Sequence, residues 1–170
     1  MRRRRPEPGA AQDADERTVR TAGYALLAGR DFSRHELTER LLRKGYGAAV
    51  VAEAVANIVQ EGFLREERFA EQFVTQRAGR GQGPLRVRMS LREKGVEAET
   101  IAQALDEKTE SDWIQAAREA RRRKFGLEPP ADRRERAKQA RFLQYRGFSS
   151  DQIRAALGPG DDDPEDDPAP

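Results

Sequence analysis

Two features of the 170-residue sequence predict an all-α chain arranged as a tandem array of three three-helix, helix-turn-helix-like repeats. Between Glu16 and Gly158 the apolar residues recur at three and four positions, the spacing of one helix face, and no sustained strand-like alternation interrupts them. One pattern also occurs three times: Leu41-Leu42-Arg43-Lys44-Gly45-Tyr46, Leu91-Arg92-Glu93-Lys94-Gly95-Val96 and Leu143-Gln144-Tyr145-Arg146-Gly147-Phe148. In each copy a basic residue closes a helix, glycine takes the left-handed position beyond it, and an apolar side chain opens the next connection. Five residues further on stands its partner, Val51, Ile101 or Ile153, at the spacing of a hydrophobic staple that starts a new helix.

The remaining elements follow in order. A helix is predicted over Arg17–Ala28. Ser33 with Glu36 reads as a capping box and Phe32 with Leu37 as a staple, starting a helix near residue 34 that ends by 44. The second repeat opens with a helix over Glu66–Ala78, whose Phe69, Ala70, Phe73 and Val74 share a face. Gly83-Pro84 then starts a helix with proline in the first turn, where no amide hydrogen is needed. Leu85, Met89 and Leu91 are its expected packing side. In the third repeat a helix over Asp112–Phe125 capped by Ser111 precedes one capped by Asp132 with Glu135, running from about 133 to 146. The repeats are placed at 16–62, 63–108 and 109–158. Units this short barely form a core alone, so they are expected to stack into an elongated array. Segments 1–15, a basic arm, and 159–170, an acidic tail, are rich in Pro, Gly, Asp and Glu and are expected to be disordered.

Composition removes most chemistry. With no cysteine and one histidine, disulfide scaffolds, thiolate or histidine-rich metal sites and Cys/His or Ser/His catalysis lack their parts. Neither a catalytic residue, a metal site nor a cofactor is expected. His35 is assigned no role, and the Glu66–Glu67 pair is read as complementing a helix N-terminus. The longest apolar runs are too short to cross a bilayer, and Arg2–Arg5 lead into Pro6, Glu7 and Pro8, so a soluble, cytoplasmic monomer is expected.

Charge is the positive signal. The net charge is +2, but the tail from Gly158 carries six carboxylates and no base, leaving the repeats strongly basic. In the second repeat Arg77, Arg80, Arg86, Arg88, Arg92 and Lys94 face a single acid, Glu93, between positions 77 and 94. In the third, Arg121, Arg122, Arg123, Lys124, Arg133 and Arg134 stand in a run of ten bases against four acids from 117 to 141. Such density suits phosphates or acidic partners; the competing reading is a solvated helix face. Gly79-Arg80-Gly81-Gln82-Gly83 lacks the preceding strand of a dinucleotide fold and the Lys-Ser/Thr of a phosphate loop, so nucleotide binding is not expected. Trp113, Phe69 and Phe73 fall on the apolar stripes and are read as core.

The stretch from Gly62-Phe63-Leu64-Arg65-Glu66-Glu67-Arg68-Phe69 to Val74, continuing through Arg77, Gly81, Gly83-Pro84 and Arg86 to Leu91–Val96, resembles the RecX family, negative modulators of RecA recombinase. Ser33, Glu36-Leu37 and Leu41–Gly45 match its first repeat. Family members commonly carry an aspartate pair and a tyrosine where Arg65-Glu66-Glu67 and Phe73 stand here. The resemblance implies a curved array that lodges in the groove of a RecA–single-stranded DNA filament, blocks its extension or destabilises it, and so inhibits ATPase, strand exchange and co-protease activities. It implies a non-enzyme whose partners are the RecA filament and single-stranded DNA, with double-stranded DNA a further candidate. The twelve basic residues above are the expected contacts, assigned by charge density. The alternatives are a direct, non-specific nucleic-acid-binding protein and a purely structural helical adaptor. The array predicts that small-angle scattering from residues 16–158 gives a radius of gyration clearly above the roughly 14.5 Å of a globular chain of that length; a value at that limit rejects the open array.

Overall fold

A computed structural model describes residues 13–158, and among these are nine helices and no strand. They are α1 (Glu16–Leu27), α2 (Arg34–Leu42), α3 (Ala48–Gln60), α4 (Glu66–Gly79), α5 (Pro84–Glu93), α6 (Ala98–Asp106), α7 (Glu110–Phe125), α8 (Arg133–Tyr145) and α9 (Ser150–Leu157). Taken three at a time, they form the all-α repeats that the sequence predicts. The acidic tail and most of the basic arm lie outside the described residues.

Capping explains where the helices begin. Asp15, at the edge of the segment expected to be disordered, accepts a hydrogen bond from the Thr18 amide at 2.8 Å and starts α1. Ser33 accepts one from the Glu36 amide at 3.0 Å, but the Glu36 carboxylate turns away to Lys94 and Arg30, so only half of the expected box forms. Asp132 caps α8, accepting from the Glu135 amide at 2.7 Å, while the Glu135 carboxylate accepts from Lys138 and Gln139, so here too only one half of the reciprocal pair forms. The start of α7 corrects the sequence reading. Thr109, not Ser111, caps it in a reciprocal box with Asp112, and Ser111 lies inside the first turn. Thr109 has a carboxylate three residues on and satisfies two free amides; Ser111 has Ile114 there and would satisfy one.

The chain packs as two compact units. Among the described residues, one holds 13–71 together with Leu91–Ile101; the other holds Gln72–Ser90 together with 102–158. The division passes through α4, α5 and α6, so each unit contains one outer repeat and part of the middle one. In the first unit Val19, Phe32, Leu37, Leu41, Val51, Val55 and Ile58 form a buried core between α1, α2 and α3. In the second, Trp113, Ala117 and Ala120 of α7, Leu143 of α8, and Phe148 and Leu157 are buried, as are Phe73, Val74 and Val87.

Each unit contains the same kind of joint. In the first, the turn that ends α5 rests on the start of α2. The Ser33 hydroxyl donates to the Lys94 carbonyl at 2.7 Å, the Lys94 ammonium pairs with Glu36, and a Cβ placed on Gly95 would come within 2.6 Å of the His35 Cβ. In the second unit the turn that ends α8 rests on the start of α5. The Gly83 amide donates to the Arg146 carbonyl at 2.8 Å, the Leu85 amide donates to the Gly147 carbonyl at 3.1 Å, and a Cβ on Gly147 would come within 2.6 Å of the Arg86 amide nitrogen. Ser33 and Gly83, Glu36 and Arg86, and Lys94 and Arg146 occupy equivalent places in the repeat. Gly95 and Gly147 have φ of +72° and +88°, so an L side chain at either would be opposed by both backbone and neighbour.

Burial alone would raise the Glu36 pKa, but hydrogen bonds from Lys94 and Arg30 outweigh it and hold the carboxyl below the ordinary range. Its stabilising contribution is therefore complete above the ordinary glutamate value of about 4.3 and is lost as pH falls through the lowered one. Glu36→Gln should cost about 1–2 kcal/mol at pH 7, seen as a melting point roughly 3–6 °C lower. The melting difference between parent and variant should hold above the ordinary glutamate value and shrink as pH falls below it, vanishing once the parent carboxyl is protonated as well.

Candidate polyanion-binding surface

The helical phase of α5 decides which of its side chains are available. Val87 and Leu91, one turn apart, are buried, and this leaves Leu85, Arg88, Met89 and Arg92 exposed. Leu85 and Met89 are 57% and 58% exposed, which corrects the expectation that they pack inward beside Leu91. Leu85, Arg88 and Met89 are therefore neighbours on one solvent face.

The other predicted contacts separate into free and committed groups. The side chains of Arg80, Arg88, Arg92, Arg122, Lys124 and Arg134 are exposed and make no hydrogen bond or ion pair within the described residues. Arg133 is exposed at the start of α8. Arg77 is half-buried, its guanidinium 4.8 Å from the Phe73 ring centre. Arg86 is half-buried too, donating to the Tyr145 carbonyl at 3.1 Å. Arg123 donates to the Gly79 carbonyl at 3.0 Å, and Lys94 is held by Glu36.

Arg121 is not a surface residue. Only 6% of it is exposed, and its guanidinium donates to the Gln139 side-chain oxygen at 2.8 Å and to the carbonyls of Leu127 and Glu128. The arginine-rich run of α7 contains one position that faces inward, beside Ala117 and Ala120, and there the cation secures the connection to α8 through neutral acceptors. It leaves the set of candidate contacts.

The second joint supplies residues that charge counting along the sequence passes over. Tyr145 is 75% exposed, and the Arg86 guanidinium lies 5.2 Å from its ring centre. Arg146 donates to the Arg80 carbonyl at 3.2 Å and lies 5.1 Å from the Phe142 ring centre. The signal was present in the sequence as two acid-free runs, Gln72 to Arg92 and Arg136 to Ser150, which the joint brings together. Among the described residues no cluster of His, Cys, Asp and Glu could hold a metal ion, and no helix is long and apolar enough to cross a membrane.

Models of the RecX three-helix domains match in chain order, the first over residues 20–56, the second over 66–105 and the third over 110–157. A Regulatory protein RecX from Halorhodospira halophila is 46% identical over 159 residues, 94% of this chain and 96% of its own length. The chain belongs to the RecX family. Another relative, a Regulatory protein RecX from Pseudomonas fluorescens, is 43% identical over 146 residues, 85% of this chain and 94% of that one. The crystal structure of RecX from Lactobacillus salivarius shares the fold, with a TM-score of 0.72 at 18% identity over 84% of this chain and 94% of the other. Family membership thus holds despite the Arg65-Glu66-Glu67 and Phe73 departures. Like its relatives, this RecX-family chain is of a regulatory class. Arg121→Ala should lower stability by about 2–4 kcal/mol and the melting point by roughly 5–12 °C, whereas Arg122→Ala should change stability by no more than about 0.5 kcal/mol; equal melts for the two variants would return Arg121 to the surface.

Proposed function

We propose that this chain is a negative regulator of RecA recombinase that binds the RecA–single-stranded DNA filament and blocks its extension or destabilises it. The observation that carries this reading is membership of a family of regulatory proteins, shown over nearly the whole chain. The exposed basic side chains support it. Arg80, Arg88, Arg92, Arg122, Lys124 and Arg134 project unpaired charge, which suits a polyanionic filament better than a discrete small substrate. The chain acts by occupying the filament, and ATP hydrolysis, strand exchange and co-protease activity fall because each needs the filament intact. Its working place is the cytoplasm and its working form a monomer.

One bound molecule can interrupt many filament protomers. The chain should therefore depress RecA's DNA-dependent ATP hydrolysis when present well below the RecA concentration. The triple variant Arg80→Glu, Arg88→Glu, Arg92→Glu should keep its helical circular dichroism and lose most of that inhibition. If inhibition instead appears only when the protein saturates the DNA, direct non-specific nucleic-acid binding replaces filament regulation. If the parent leaves RecA untouched at equimolar ratio, this reading fails.

A further inference from the structure

The two joints use the same backbone geometry with different charges. At the first, Glu36 pairs with both Lys94 and Arg30. At the second, the place of Glu36 is taken by Arg86 and that of Lys94 by Arg146, and the two runs that meet there carry no Asp or Glu. In a chain with 32 basic and 30 acidic residues, this absence leaves a local concentration of uncompensated cations.

The cations are also held in place. Arg86 and Arg146 are tethered through the Tyr145 and Arg80 carbonyls, at 3.1 and 3.2 Å. A guanidinium has five N–H donors, so these bonds fix each group while leaving donors for an incoming anion. Arg80 and Arg88 stand exposed nearby in the same unit.

A phosphate ion would need only the arginines. This site adds Tyr145, three-quarters exposed with Arg86 against its ring, and exposed Leu85 and Met89 on the adjoining helix. Flat apolar surface set among positive charge matches a ligand that alternates anionic groups with unpaired aromatic faces. A single nucleic-acid strand is that ligand; a duplex hides its base faces, and an acidic protein surface offers none.

We propose that the joint between the start of α5 and the turn after α8 is a seat for single-stranded nucleic acid, in which a base stacks on Tyr145 and the flanking phosphates meet Arg80, Arg86, Arg88 and Arg146. This deepens the filament reading by locating where the chain would hold a strand, yet its test needs no RecA.

The full-length protein is titrated at low salt with a fluorescently labelled oligothymidylate and with an abasic strand of the same length. The parent should bind the oligothymidylate more tightly. Tyr145→Ala should weaken that binding about 5- to 150-fold, the range for one base–aromatic stack, and leave the abasic strand within about twofold. Tyr145→Trp should retain binding and have its emission quenched by the oligothymidylate, over the constant background of buried Trp113. Arg88→Glu should weaken both strands and flatten the logarithmic salt dependence by about 0.7 for each phosphate that is no longer neutralised.

Unchanged oligothymidylate binding by Tyr145→Ala, or equal binding of both strands by the parent, overturns the proposal. So does a parent that binds neither strand while Leu85→Asp and Met89→Asp abolish RecA inhibition, because the face would then be one for protein. Since the strand assay contains no RecA, the seat can fail while RecA inhibition persists, and inhibition can fail while the seat persists.

Discussion

The structure depends on the capture of one carbonyl, that of the basic residue preceding a left-handed glycine, by the start of the second helix in the preceding repeat. Lys94 and Arg146 supply that carbonyl, and Ser33 and Gly83 take it, one through a hydroxyl and the other through an amide. The glycine performs two functions in the same place. It turns the chain at positive φ, and it lets the turn approach the neighbouring helix more closely than any Cβ would permit. Cap, turn and packing between repeats are therefore satisfied by the same few atoms.

Because the backbone defines the joint, the side chains around it are at liberty to differ. Around the first joint they form a small ionic network, with Glu36 between Arg30 and Lys94, and Arg68 with Asp31 nearby. Hydrogen bonding to Asp31 raises the Arg68 pKa, although a guanidinium is charged at any working pH without that help. Around the second joint, arginines lie against aromatic rings and carbonyls, which position a cation without neutralising it. One joint carries its own carboxylates; the other has none in the runs that form it and retains a positive field.

Much of the fold was legible because its signals are local. The three Leu-to-Gly patterns locate helix ends, staples locate the starts that follow, and Phe69, Phe73 and Trp113 fall on buried faces as their spacing suggests. The candidate surface was less legible because exposure depends on helical phase and on partners distant in sequence. Arg121 and Arg122 are adjacent and chemically identical, yet one is turned toward Gln139 and the other toward solvent. Leu85 and Met89 looked like core residues because they are apolar at helical spacing, but Val87 and Leu91 occupy the inward positions of α5. Tyr145 belonged to a recognised pattern, although nothing along the chain indicated that its ring would meet Arg86, 59 residues away.

The division of the chain through α4, α5 and α6 bears on its cooperativity and on how such arrays can change in length. The periodic unit of the sequence is not the unit that packs, since the middle repeat contributes helix segments to both bodies. Melting either body must fray helices that continue into the other, which couples their unfolding through covalent backbone. For the same reason, deleting the middle repeat would do more than shorten the array. It would remove the Lys94–Gly95 turn from one joint and the Gly83–Leu85 seat from the other, leaving the two outer repeats each without its counterpart.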